Sequence, residues 1–206
     1  MGHTQLTRLE KVLSWGLLTL LKKWIGYYEG CMSNESCDDV IEHMNNARRS
    51  DLEKSTYSNN KGTSNTSNER VRMDEVWFRN GEKYYDIIRE AFLETIRRYS
   101  KKHKDFSCIR HTDFRLNKYS EGGFMSRHLD NIHHSHGQQY GYPQVSALLF
   151  LNDDYEGGEF IVAKEVYKTN KGSAIIFPSN FMFPHEVTTI RKGVRWSVVT
   201  WMMCQM

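Results

Sequence analysis

Beyond residue 105 the chain has no stretch that could form another long helix, and this restricts its folds more than any other feature. Short apolar runs alternate there with turn residues. Phe114 and Leu116 alternate with polar neighbours, as in a strand. Residues 145–151 form a continuous apolar run, the pattern of a strand buried on both faces. Asn152 to Gly158 is a turn cluster, and residues 159–163, 173–177 and 194–202 read as three further strands. Upstream the spacing is helical. Ser33 or Asn34 can cap a helix carrying Cys37, Val40, Ile41, Met44 and Ala47 on one face. A longer helix is expected over 81–101, its apolar surface supplied by Tyr84, Ile87, Ile88, Ala91, Phe92, Leu93, Ile96 and Tyr99. Helices first and strands after, with short connections, predict an α+β fold: a jelly roll (double-stranded β-helix) braced by N-terminal helices.

Two segments stand apart. Leu9, Val12, Leu13, Leu17, Leu20, Leu21 and Trp24 keep helical spacing, so residues 1–24 are expected to be a helical extension and residues 25–206 the main domain. The apolar stretch 12–21 is about half of a bilayer span and no small-residue cleavage site follows it, which argues against a membrane segment or signal peptide. Residues 50–68 are Ser, Thr, Asn and Lys with almost nothing to bury, and read as a long loop.

Composition narrows the function classes. Hydrophobic residues at 39% and aromatics at 13% are enough for a packed core in 206 residues. A net charge of +3 is too mild a basic excess to argue for nucleic acid, where a concentrated basic face is expected, so nucleic acid is not expected as a partner. The cysteines Cys31, Cys37, Cys108 and Cys204 contain no CxxC pair and read as reduced, which points to the cytoplasm. Nothing in the sequence determines the oligomeric state.

The local feature that carries chemistry is His128-Leu129-Asp130. On a strand, residues two apart point to the same face, so imidazole and carboxylate stand side by side. His185, 57 residues later in a strand-like segment, can complete a set of two histidines and one carboxylate. That set is the facial triad of non-haem Fe(II) oxygenases, which leaves coordination positions open for a co-substrate and dioxygen. Ten residues after His185 comes Arg195, flanked by Val194, Trp196, Val198 and Val199. A buried guanidinium there can fork onto the distal carboxylate of a bound 2-oxoglutarate, whereas a solvated strand arginine is the plain alternative.

Taken in order, KYSEGGFMSRHLD, VSALLFLNDDYEGGEF and GSAIIFPSNFMFPHEVTTIRKGVRWSVVTW resemble the catalytic core of the prolyl-4-hydroxylase superfamily of Fe(II)- and 2-oxoglutarate-dependent dioxygenases. The PHEV run is especially similar to the hypoxia-sensing members. A looser likeness reaches back to about Tyr27. The resemblance implies that His128, Asp130 and His185 bind iron and that Arg195 and Tyr119 bind 2-oxoglutarate. It implies Leu148 and Phe150 as walls of that pocket, with Phe150 standing where the hypoxia-sensing members have a tyrosine. Trp201 matches an aromatic near the substrate proline, against the reading of an ordinary core tryptophan. Arg72, at the base of the polar loop, matches a region that folds over substrate, against the reading of a solvated loop. Implied cofactors are Fe(II), 2-oxoglutarate and dioxygen, with ascorbate as reductant, and the implied partner is a proline-containing peptide or protein. His133, His134 and His136 follow the triad in a polar segment, 131–142, expected to act as a lid. Alternatives remain: hydroxylation of a free amino acid, another small molecule or a nucleobase, a non-catalytic metal-binding module, or a zinc hydrolase, which would not need Arg195.

Overall fold

The computed structural model describes residues 19–58, 64–65, 69–108, 110–130 and 142–204. Residues 131–141 of the expected lid, with its three histidines, lie outside those residues, as does most of the N-terminal extension, while Tyr142 already belongs to a strand. Residues 19–22 are helical. Leu21 packs against the core, while Leu20 and Trp24 are largely exposed. Among the described residues no helix is long and apolar enough to cross a membrane.

Helix α1 (Asn34–Asn46) starts where a cap is available: the Ser33 hydroxyl accepts a hydrogen bond from the Ser36 amide at 3.1 Å. It buries Cys37, Val40 and Met44, while Ala47 is its C-cap and lies exposed. Helix α2 (Tyr85–Lys102) begins four residues later than expected, because Tyr84 adopts a left-handed conformation as its N-cap. Its buried stripe is Tyr85, Ile88, Ala91, Phe92, Thr95 and Tyr99. Ile87 and Leu93, expected on that stripe, stand about 100° to either side of it and are 42% exposed.

Two antiparallel sheets form the rest. The larger has seven strands in the order β1 (Gly26–Tyr28), β13 (Ala174–Pro178), β9 (Tyr142–Phe150), β16 (Arg195–Cys204), β7 (Phe114–Tyr119), β6 (Asp74–Phe78) and β2 (Glu53–Lys54). The smaller has five: β12 (Glu165–Tyr167), β11 (Phe160–Val162), β14 (His185–Val187), β8 (Phe124–His128) and β5 (Val71–Arg72). Two short pairs complete the set, β3 (Tyr57–Ser58) with β4 (Ser64–Asn65), and β10 (Glu156–Gly157) with β15 (Ile190–Lys192). The polar stretch 50–68 is therefore not wholly loop. Edge strands such as β2 need backbone partners rather than a buried face, and a hydropathy pattern does not reveal them.

Strand alternation sorts the large sheet into two faces. One carries Leu116, Leu149, Ala147, Ile176, Val198 and Met202 and packs under the helices. The other carries Tyr119, Leu148, Phe150, Ile175, Phe177, Val199 and Trp201 and faces the small sheet. This is the jelly roll the sequence predicts, with helices on its outer side. Because both faces of β9 and β16 are covered, their sequences read as nearly unbroken apolar runs.

Candidate active site

The two histidines meet through strand pairing. β14 runs antiparallel to β8, and His185 lies directly opposite His128. The same pairing sets Val187 opposite Met125, so β8 holds one extra residue between the two positions. That bulge turns both Met125 and His128 toward the other sheet. β8 ends at His128, so Asp130 is presented from just beyond the strand rather than on it. Its orientation is set from the large sheet instead: the Ser146 hydroxyl donates to Oδ2 at 2.6 Å and lies 2.7 Å from the Ser179 hydroxyl.

His128 Nε2 is 3.5 Å from Asp130 Oδ1 and His185 Nε2 is 3.3 Å from Oδ2. The ligating atoms of all three lie within 4.8 Å of one another. Each Nδ1 faces a backbone carbonyl, Ser126 at 2.9 Å and Phe183 at 3.3 Å. An Nδ1–H donated there leaves the Nε2 lone pair aimed at the shared centre. Burial, with His185 alongside, holds the His128 imidazole below its ordinary pKa. Burial pushes the Asp130 carboxyl up, but His185 and His128 outweigh it and hold it well below the usual carboxylate range. Neutral imidazole and ionised carboxylate are the forms that bind a divalent cation. Two nitrogens and one oxygen, gathered on one side of a point, fit Fe(II) with open positions.

Arg195 sits on the same inner face, directly opposite Tyr119. It is fully buried. Nη1 donates to the Ser197 hydroxyl at 3.0 Å, while Nε and Nη2 have no hydrogen-bond partner among the described residues. The guanidinium lies over the rings of Tyr119 and Phe150, at 5.2 and 5.4 Å. Leu148 and Phe150 line the adjacent strand, and the Tyr119 hydroxyl is 3.9 Å from the Met125 sulfur. A buried cation without an anion is costly, and a carboxylate would satisfy both free N–H groups at once. The surroundings hold Arg195 in place. Asn152 accepts from the Trp196 amide at 2.7 Å and donates to the Val194 carbonyl at 2.7 Å, gripping the backbone on both sides. Gly158 has positive φ, and a Cβ there would sit 2.3 Å from Ile190 Cδ1 and 3.1 Å from Arg195 Cδ.

The two expected substrate contacts fare differently. Trp201 lies on the inner face but is 1% exposed, with the Arg115 guanidinium 4.9 Å over its ring and Trp77 at 6.2 Å. Arg72 is not brought to the triad. Its neighbour Val71 points into the inter-sheet core, so alternation sends Arg72 outward, over the turn at Gly122. Sequence reading passed over Ser146, Asn152, Arg115 and Glu75. Arg115 and Asn117 were within reach, since both alternate in phase with Tyr119.

Residues 114–203 match the family model for the 2OG-Fe(II) oxygenase superfamily. A PKHD-type hydroxylase of Rippkaea orientalis is 37% identical over 92 residues, 42% of this chain and 40% of that protein. Human prolyl 3-hydroxylase 2 is 44% identical over 69 residues, 30% of this chain and 10% of its own length. The chain thus matches about two fifths or less of these relatives. Two solved structures share its fold. A Pseudomonas putida prolyl-4-hydroxylase superimposes with a TM-score of 0.70 at 15% identity, covering 94% of this chain and 100% of the other. A Trichoplax adhaerens prolyl hydroxylase, in complex with a hypoxia inducible factor oxygen degradation domain peptide fragment, gives 0.69 at 17%, covering 97% and 94%. The stretch that matches the 2OG-Fe(II) oxygenase superfamily model, residues 114–203, is the one that carries the His128–Asp130–His185 cluster and Arg195.

Proposed function

We propose that the chain is an Fe(II)- and 2-oxoglutarate-dependent dioxygenase that hydroxylates peptidyl proline. One observation carries the reading: a fully buried guanidinium with two free N–H groups shares an inner sheet face with Ser146, the residue that orients Asp130 of the His128–Asp130–His185 cluster. A metal-binding module or a zinc hydrolase has no use for that cation.

His128, Asp130 and His185 hold the iron. Arg195 binds the distal carboxylate of 2-oxoglutarate, the Tyr119 hydroxyl donates to the same co-substrate, and Leu148 and Phe150 exclude water from it. Bound iron and 2-oxoglutarate supply oxidation of a C–H bond by dioxygen, with decarboxylation of the co-substrate to succinate. The protein's part is to keep the His128 imidazole neutral, keep Asp130 ionised and position the target over the open side of the cluster. The choice of proline is supported by the relatives, among which prolyl hydroxylases recur. The aromatic pair Trp77 and Trp201 suits an apolar ring without a donor. Ile25, buried between the sheets, is taken as the start of the domain, with residues 1–24 as an extension. The free thiols of Cys31, Cys37 and Cys108 support a cytoplasmic setting.

The test is mass spectrometry after incubation with Fe(II) and 2-oxoglutarate of blocked proline peptides, lysate proteins, free proline and single-stranded DNA. One added oxygen on peptidyl proline is expected, with succinate formed in step. Asp130→Ala should end succinate formation while circular dichroism stays unchanged. Oxygen gained only by free amino acids or bases would overturn the peptidyl reading, and full activity in Asp130→Ala would overturn the iron site.

A further inference from the structure

The inner face of the large sheet carries a second group of polar side chains beside the co-substrate end. Glu75 lies opposite Asn117 in the β6–β7 pairing, and Trp77 lies opposite Arg115. Asn117 is buried, and the side chains of Arg115 and Glu75 are 12% and 20% exposed, so the group sits just inside a rim. Arg115 Nη1 and Glu75 Oε2 are 3.5 Å apart, well beyond the roughly 2.7–2.9 Å of a charge-assisted hydrogen bond. Glu75 Oε2, Arg115 Nε and Asn117 Oδ1 are all buried without a hydrogen-bond partner among the described residues. A loose ion pair with a free donor and free acceptors in one place is set up to receive something that offers both.

Position says what. The Arg115 guanidinium lies over the ring of Trp201, and Trp201 pairs across β16–β9 with Ser146, which holds Asp130. Arg115 on β7 therefore stands two strands from Ser146, with Trp201 of β16 between them, and Glu75 and Trp77 lie one strand further out on β6. An amide offers an acceptor and a donor and no net charge, which matches a +1/−1 pair. Proline has no N–H of its own within a chain, so a peptide must supply its donor from the following residue.

We propose that Arg115 and Glu75 are a main-chain clamp for the substrate, Arg115 donating to the carbonyl oxygen of the target proline and Glu75 accepting from the next N–H. The clamp rests on the peptidyl-proline reading, and it makes these two residues specificity-determining. It also explains why Trp201 is covered: the proline ring meets Trp77 and the stem of Arg115 first.

The test uses the full chain with Fe(II), 2-oxoglutarate and a library of end-blocked peptides with a central proline, with free proline as a second probe. Arg115→Met and Glu75→Gln should each raise KM for the best peptide by at least about tenfold, with kcat and the KM for 2-oxoglutarate within about threefold. Arg115→Lys should recover part of the loss. Peptide binding measured without oxygen, by tryptophan fluorescence, should weaken in parallel, which a purely structural role would not cause. If Arg115→Met fails to fold, the isosteric Glu75→Gln carries the test. A smaller rise in KM in the folded variants overturns the clamp even where peptide is hydroxylated. If wild type hydroxylates free proline and no peptide, the peptidyl reading and the clamp fall together, because free proline has no following N–H for Glu75. Hydroxylation of neither probe overturns both.

Discussion

The two faces of the large sheet are equally hidden from water and are built on opposite terms. Under the helices, Leu116, Ala147, Leu149, Ile176 and Val198 meet Ile88, Phe92 and Met44, and the face is almost wholly apolar. Toward the small sheet the same strands present Arg195, Ser197, Asn117 and Ser146 among Val199, Leu148 and Phe150. Several polar atoms there lack hydrogen-bond partners among the described residues. Burying apolar surface stabilises, whereas burying an unpaired donor or a charge opposes folding. One face therefore supplies the stability that allows the other to carry groups left unsatisfied for a ligand. Strand alternation keeps the two apart within single strands: β16 contributes Val198 to one and Arg195 to the other.

The sharpest way to break that contrast is to remove the charge and keep the volume. Truncating one partner of a buried charge pair costs about 3–5 kcal/mol. Arg195→Met should therefore raise KM for 2-oxoglutarate by roughly a hundredfold or more, measured by succinate formation. In the ligand-free protein the sign reverses. Nothing among the described residues neutralises Arg195, so an apolar replacement should leave Tm unchanged or raise it. A large fall in Tm, or an unchanged KM, would show that Arg195 holds the fold rather than the co-substrate.

How much of this was legible follows the same division. The apolar runs announced β9, β13 and β16, and with them the buried setting of Arg195, because period-2 patterning is local. The spacing of His128, Asp130 and His185 was legible as chemistry. Its geometry was not, since the bulge in β8 and the placing of Asp130 beyond that strand depend on pairing with β14, 57 residues away. Ser146 was invisible for a related reason. A serine inside Val145-Ser146-Ala147-Leu148 reads as a tolerated small residue until the sheets are stacked and its hydroxyl meets Asp130. The facing of Arg72 was not legible either, because a two-residue strand in a polar stretch shows its direction only once it is paired with β8. Ile87 and Leu93 misled in the opposite sense, as apolar residues at the edge of a helical stripe.

The helix-side face offers the converse experiment. Leu149→Ala empties a fully buried position between β13 and β16. Leucine-to-alanine changes in cores cost about 2–5 kcal/mol, and the centre of this cluster has little room to collapse. Urea unfolding should show a loss in that range with the slope unchanged, while KM for 2-oxoglutarate stays at its wild-type value. A large rise in KM would mean that the faces are mechanically coupled across the sheet.

Ser146→Ala tests the boundary itself, since Ser146 lies on the same strand as Leu149 and one residue from Ala147. Its hydroxyl is bonded on both sides, donating to Asp130 Oδ2 and meeting the Ser179 hydroxyl. Loss of an outer partner of a ligating carboxylate typically lowers metal affinity about 10–100-fold, which corresponds to about 1.4–2.7 kcal/mol. The fold should lose less, on the order of 1 kcal/mol for one hydrogen bond, because alanine fits the space. The expected result is a metal titration shifted to higher Fe(II) concentration, with urea unfolding nearly unchanged. Restoring the hydroxyl with Ser146→Thr should return part of the affinity if the added methyl is accommodated. Should stability fall while metal affinity holds, Ser146 would belong with the helix-side residues in kind, and the separation of roles by strand face would fail at the point where it matters most to the proposed iron site.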